Sequence, residues 1–148
     1  MLREYSTWAF TLQAGSDAAP TFEGLEQELE TLPGIYAPLN GRRLLAMHDG
    51  QPAGCIALKP VDATTGELKR LYVRPAFRGH AIGSQLVVID AARTSGHRRM
   101  ILDSHLSMTD AHAIYMDAGF RRVSAPLGFP EAFIPYVVFM DMQLDEIA

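Results

Sequence analysis

The chain has 148 residues, 48% of them apolar and 20% charged, with a formal net charge of −4. That length suits one domain, spanning 1–148, that buries roughly 70% of its unfolded surface, and the balance excludes disorder, collagen and coiled coil. A single cysteine, Cys55, excludes an intrachain disulfide framework and a thiolate metal cluster. The acidic balance argues against general nucleic-acid binding, and no apolar run approaches the ~18 residues that span a bilayer.

The opening Met1-Leu-Arg-Glu-Tyr-Ser6 does not read as a signal peptide, so a reduced cytoplasm and no membrane are expected. The first element predicted is a helix over 22–32, where Phe22, Leu25, Leu29 and Leu32 stand at helical spacing before Pro33-Gly34. Two short apolar runs, 43–48 and 54–59, flank Asp49-Gly50-Gln51-Pro52 and read as a hairpin. A third strand is predicted at 67–73, after the turn Thr64-Thr65-Gly66. One helix is expected from 82 to 94, with Ile82, Leu86 and Ile89 on one face and Gly96 as its stop. The run Met100-Ile-Leu-Asp103 has the continuous apolar character of a buried strand. A second helix, 108–118, places Ala111, Ile114, Tyr115 and Ala118 together, and strands at 120–123 and 136–142 close the chain. The order predicts an α/β or α+β fold with one mixed sheet.

The charge is unevenly placed. Residues 69–122 carry nine bases against four acids, which suggests an anionic ligand in an otherwise acidic protein. The most informative stretch runs from Glu67 through Leu71-Tyr72-Val73 and Arg78-Gly79-His80-Ala81-Ile82-Gly83-Ser84. A strand enters a glycine-containing turn and a helix starts at once. Helix N-termini offer unpaired N–H groups and the positive end of a dipole, and glycine lets backbone approach an anion. Taken alone, the same spacing is also a plain tight connection. It is neither a dinucleotide fingerprint nor a P-loop. The five histidines (His48, His80, His97, His105 and His112) show no metal-ligand spacing and read as surface or capping residues, so no metal is expected. His80 is the exception, placed by the turn near any bound phosphate.

Arg78-Gly-His-Ala-Ile-Gly83 after Leu71-Tyr-Val73 resembles motif A of the GNAT N-acetyltransferase superfamily, and Ala111-x-x-x-Tyr115-x-x-x-Gly119-Phe120 is similar to its motif B helix. The resemblance spans 43–142, and more weakly 22–42, where Leu32-Pro-Gly-Ile-Tyr-Ala-Pro38 resembles small bacterial members. It implies the family's acyl-CoA acyltransferase fold: a mixed central sheet with helices on both faces, here without the family's first strand. It implies acetyl-CoA as co-substrate and an acetyl group passed directly to an amine. Arg78, Gly79, His80, Ala81, Ile82, Gly83 and Ser84 would hold the pyrophosphate. Backbone groups of Leu71, Tyr72 and Val73 would hold the pantetheine, with the Val73 N–H on the thioester carbonyl. Tyr115 would contact the cofactor and protonate the departing thiolate, and Glu67 would take the amine proton. Bulk at Gly83 is expected to weaken CoA binding more than folding. Two positions depart from the family pattern. Ala81 stands at the usual middle glycine, where a helical φ is expected, and Met108 replaces the asparagine that often opens the motif B helix.

Two rivals stand beside this reading. One is a non-catalytic acyl-CoA-binding or sensor module of the same fold, and the other is an unrelated nucleotide-binding domain. The acceptor, a small molecule or a peptide amine, is not fixed by the sequence. A homodimer is expected, because a missing first strand leaves a sheet edge uncovered and the run Phe129–Phe139 adds an apolar surface.

Overall fold

The computed structural model describes residues 1–13, 25–38, 41–87 and 89–144. Two helices come first, α1 (Leu2–Gln13) and α2 (Leu25–Glu30). The hairpin β1 (Arg42–His48) and β2 (Gln51–Pro60) follows, then β3 (Thr65–Val73). Next come α3 (Ile82–Leu86), α4 (Ile89–Thr94), β4 (Arg99–His105), α5 (Thr109–Asp117), β5 (Arg121–Val123) and β6 (Val137–Gln143). One six-stranded sheet has the order β1-β2-β3-β4-β6-β5. Only β3 and β4 pair in parallel, and the remaining pairs are antiparallel. This is the mixed sheet expected from the element order, and no strand precedes β1 among the described residues.

Local chemistry accounts for the connections. Asp49 and Gly50 take positive φ, 48° and 75°, so the two-residue hairpin turn matches the twist of its strands. The Asp62 carboxylate accepts from the N–H groups of Thr64 at 2.8 Å and Thr65 at 2.7 Å, which starts β3. At the end of α4, His97 N–H donates to Ala92 and Gly96 N–H to Arg93, with Gly96 at φ 81°. At the end of α5, Phe120 N–H donates to Tyr115 and Gly119 N–H to Met116, with Gly119 at φ 107°. Both are glycine-capped Schellman ends.

Helices cover both faces. On one, Ile56, Leu58, Leu68, Met100, Leu102 and Met140 pack with Ile82, Leu86, Ala92 and Tyr115. On the other, Tyr5 and Ala9 of α1 pack on Cys55 and Tyr72. Each fully buried aliphatic side chain contributes roughly 1.5–3 kcal/mol. No helix among the described residues is long and apolar enough to cross a membrane.

Four expectations are corrected. First, α1 was not anticipated, although Tyr5, Trp8 and Ala9 share one helical face. Second, the helix expected over 22–32 is helical at Leu25–Glu30, and 22–24 lie outside the described residues. Third, the single helix over 82–94 is two, because Val87 turns extended (φ −62°, ψ 112°); the β-branched pair Val87-Val88 disfavours helix there. Fourth, His97, His105 and His112 are buried rather than surface residues.

Candidate active site at the splay of two parallel strands

Parallel pairing of β3 with β4 covers only Thr65↔Arg99, Gly66↔Met100 and Glu67↔Ile101. Beyond Glu67, the β4-facing edge of β3 has no ladder partner. The Arg74 N–H donates to Ala53 of β2 at 2.9 Å. Backbone groups alternate along a strand, so the Val73 N–H and C=O face the open splay. Arg78 marks that edge: its Nε donates to the Val73 carbonyl at 3.1 Å and its guanidinium lies 5.6 Å over the Trp8 ring.

A cleft of about 750 Å³ begins at this edge. It is lined by Leu71, Tyr72 and Val73 of β3, by Arg78, Gly79 and Ala81–Ser84 of the turn, and by 107–111, Ala113 and Ile114. Trp8 and Phe77 complete the lining. Every residue proposed for the cofactor in 71–84 therefore lies along it except His80. The His80 ring turns instead toward His48, 5.1 Å away, with Nδ1 at 3.2 Å from the Arg78 carbonyl and 3.3 Å from that of Phe77.

The turn itself is strained at one place: Ala81 has φ 57° and ψ 16°. The helical φ expected there is wrong. The chain must swing from extended Arg78 (φ −68°, ψ 151°) into α3 within three residues, and Gly79 (φ 83°) and Ala81 both go left-handed to achieve it. Gly83 serves packing. A Cβ on it would stand 2.8 Å from Ile114 Cδ1, so its absence lets α3 approach α5.

The other side of β3 carries charge. A bulge inserts one extra residue at Arg70 (φ 61°), with the register shifting opposite Cys55 and Ala57. Simple alternation along a strand would set Glu67, Lys69, Leu71 and Val73 on one face, and the bulge breaks that set. Leu68, Leu71 and Val73 pack with the main core, whereas Tyr72 packs with α1 and Arg70 lies 5.7 Å under the Tyr5 ring. Glu67 is gripped by Lys59 at 2.9 Å and Lys69 at 2.8 Å, and Lys69 also holds Asp103 at 2.9 Å. Arg70 makes a two-pronged pair with Glu28 of α2, 3.1 and 2.9 Å. Glu28, one of the acidic residues of that helical segment, thus serves the sheet, while Glu30 stays exposed.

Burial pushes the Asp103 carboxyl up, but the Lys69 ammonium outweighs it and holds the group below the usual carboxylate range. Burial likewise opposes charge on Lys69, and Asp103 and Glu67 outweigh it. Tyr115 is 7% exposed and sits edge-on to Phe120, ring centroids 5.9 Å apart. Its burial, then Tyr5 and then Asp103, push its hydroxyl well above the usual tyrosine range. The hydroxyl therefore stays protonated, and Tyr115, expected to contact the cofactor, is not among the residues that line the cleft.

Sequence reasoning missed Tyr5, Trp8, Asp103 and Ser107. The Ser107 hydroxyl donates to His105 Nδ1 at 2.8 Å and lines the cleft one residue before Met108. Met108 Sδ instead accepts from Ser104 at 3.5 Å. Burial lowers the His105 pKa, which keeps the ring neutral and able to accept. Cys55 is buried and its thiol is pushed up to about 11. Among the described residues no group of three or more His, Cys, Asp or Glu is placed to hold a metal ion.

A mixed sheet splayed between parallel strands, with an anion-receptive turn at its mouth, defines the acyl-CoA N-acyltransferase class of fold. The chain belongs to the acetyltransferase (GNAT) family, whose family model matches residues 8–120. An N-acetyltransferase of Schizosaccharomyces pombe is 32% identical over 130 residues, covering 85% of this chain and 78% of that protein. An acyl-CoA N-acyltransferase of Klebsiella pneumoniae superposes with a TM-score of 0.68 at 26% identity, covering 84% of this chain and 88% of that one. An acetyltransferase of Salmonella typhimurium, solved with its cofactor acetyl-CoA, gives 0.60 at 25% identity over 74% of this chain and 68% of that one.

Proposed function

We propose that this chain, as one domain over 1–148, transfers the acetyl group of acetyl-CoA to a primary amine by direct attack on the thioester. The observation that carries this reading is the β3 edge that leaves its ladder with β4 beyond Glu67 and shares one cleft with the turn in which Gly79 and Ala81 are left-handed. The residues present fit the cofactor. The turn exposes N–H groups of 79–84 and the Arg78 guanidinium to a diphosphate, and the strand edge offers alternating donors and acceptors to an amide-bearing arm.

Acetyl-CoA, when bound, supplies an acyl carbon activated by a thiolate leaving group. The Val73 N–H donates to the thioester oxygen and favours the charge that grows there. Glu67 takes the proton that the acceptor ammonium must lose before its nitrogen forms the new C–N bond. Tyr115 gives its hydroxyl proton to the sulfur as the C–S bond breaks, and the second proton that the nitrogen sheds as the amide forms restores the hydroxyl. The acceptor is a small-molecule or peptide amine arriving on the α1 face, and the cytoplasm is the setting proposed.

The test is thiol release from acetyl-CoA against an amine panel, with a thermal shift in CoA and in ATP. The buried Cys55 thiol does not compete for a thiol reagent near neutral pH. Amine-dependent release and stabilisation by CoA alone support the reading. Stabilisation by CoA without release for any amine leaves a binding module. Stabilisation by ATP in preference to CoA removes the family's ligand from this cleft.

A further inference from the structure

Where backbone pairing between β3 and β4 stops, a side chain takes over. The last ladder partners are Glu67 and Ile101, and two residues further on in each strand stand Lys69 and Asp103. Their side chains meet at 2.9 Å, and the same ammonium reaches back to Glu67 at 2.8 Å. The three groups are largely enclosed, 18%, 17% and 13% exposed for Lys69, Asp103 and Glu67. We infer that Lys69 is a positioning residue for the transfer proposed above: its ammonium bridges Glu67 to Asp103 across the open end of the strand splay and fixes both carboxylates where the acceptor amine arrives.

The surroundings make this bridge more than a brace. Lys59 of β2 holds the other oxygen of Glu67, at 2.9 Å. Arg70 of β3 is paired with Glu28 of α2, and the Asp103 charge is felt by Tyr5 of α1 and Tyr115 of α5, whose hydroxyl pKa values it helps to raise. Two carboxylates this close repel when both are charged, which would push one of them to hold its proton. A carboxyl that already holds a proton cannot accept one from an ammonium group. The Lys69 ammonium, set between the two carboxylates at 2.8 and 2.9 Å, offsets that repulsion. The inference rests on the transferase reading, but the bridge's effect on Asp103 can be read without turnover.

Two arms test it. In the first, carboxyl ¹³C shifts of Asp-labelled protein are titrated. Asp103 should titrate below ordinary aspartate in the wild type, rise by roughly one to three pH units in Lys69→Met, and return in Lys69→Arg. In the second, the acid limb of kcat/KM for the best amine is measured. It should move up by roughly one pH unit in Lys69→Met, as expected for loss of a close opposite charge, and down in Asp103→Asn, which deletes the repelling neighbour. KM for acetyl-CoA should stay within about twofold, since the cofactor turn lies elsewhere on the chain. A purely structural brace would move both variants the same way or not at all, and either result overturns the inference. So does an Asp103 titration unchanged in Lys69→Met. Should Lys69→Met not fold, Asp103→Asn and Lys69→Arg decide: a downward shift in the first with wild-type behaviour in the second supports the bridge, and any other pair overturns it. A wild-type protein that turns over no amine would sink the transferase reading while the ¹³C arm still reports on the bridge.

Discussion

At the residue scale, Tyr115 carries the sharpest expectation. Its ring is buried and its hydroxyl is kept protonated by burial, so Tyr115→Phe removes a proton donor and little volume. Turnover should fall roughly 10²–10⁴-fold, the usual worth of a positioned general acid, while CoA affinity and melting temperature change much less. Steady-state rates, CoA titration and a melting curve on the one variant check this, and undiminished turnover would remove Tyr115 from the mechanism. Because the hydroxyl's pKa is raised, no alkaline loss of rate from this group is expected below the ordinary tyrosine range near pH 10. Ala81 is the second residue to probe. A Cβ at φ 57° costs about 1–2 kcal/mol, partly offset by the extra chain entropy of glycine. Ala81→Gly should therefore stabilise the protein by roughly 0.5–1 kcal/mol in urea unfolding, and it should tighten CoA binding if the methyl crowds the diphosphate. A less stable Ala81→Gly protein would contradict the strain.

At the element scale, the turn and α3 separate two jobs that the sequence pattern runs together. Gly79 has φ 83° and an added Cβ would meet nothing within 4 Å. Gly79→Ala should cost roughly 1–2 kcal/mol through backbone strain alone, and it should lower CoA affinity because the turn's N–H groups shift. Gly83 has an ordinary φ, but its Cβ would press on Ile114 at 2.8 Å. Gly83→Val should lose about 1–3 kcal/mol as its methyls press on the Ile114 end, to be set against the weaker CoA binding expected of bulk in the cleft lining. Calorimetric CoA binding beside denaturant curves distinguishes the two, and equal stability of Gly83→Val and wild type would refute the packing argument. The α3–α4 break matters here too: it leaves α3 a single short turn that depends on this contact rather than on its own length.

At the scale of the whole molecule, buried ionisable groups set the acid limit. His105 and His112 have lowered pKa values, chiefly from burial. The unfolded chain then binds protons the native state refuses, so stability should begin to fall as pH drops below about 6.5. Asp103, Asp141 and Glu28 are depressed instead, their burial outweighed by Lys69, by Arg121 with Arg99, and by Arg70. Their contribution is complete above the unfolded carboxyl values near 4 and is lost as pH falls through the lower native values. Urea midpoints from pH 8 to 3 should show both declines, and His112→Gln should flatten the first. A midpoint constant from pH 7 to 5 would refute the histidine part. The sheet edge sets the other whole-molecule expectation. On β1, the edge strand among the described residues, Leu44, Leu45 and Met47 are 40%, 54% and 56% exposed. Self-association through that edge should appear as a dimer in light scattering and weaken in Leu45→Lys, and a monomer at high concentration would remove it.

The sequence by itself determined the six strands and their order along the chain. Apolar runs, turn residues and the glycines after α4 and α5 act locally, and local chemistry is what a linear pattern records. The resemblance to motif A marked Leu71–Val73 and Arg78–Ser84 as cofactor residues, and all of these but His80 lie along one cleft. Tertiary structure decided the rest. The extra residue at Arg70 is fixed by pairing with β2, and it moves Glu67 and Lys69 to the α1 face against simple alternation. The left-handed Ala81 follows from the short path between β3 and α3, which no propensity encodes. Lys69 and Asp103 are 34 residues apart, and only the divergence of two parallel strands lets the Lys69 ammonium bridge the carboxylates of Glu67 and Asp103.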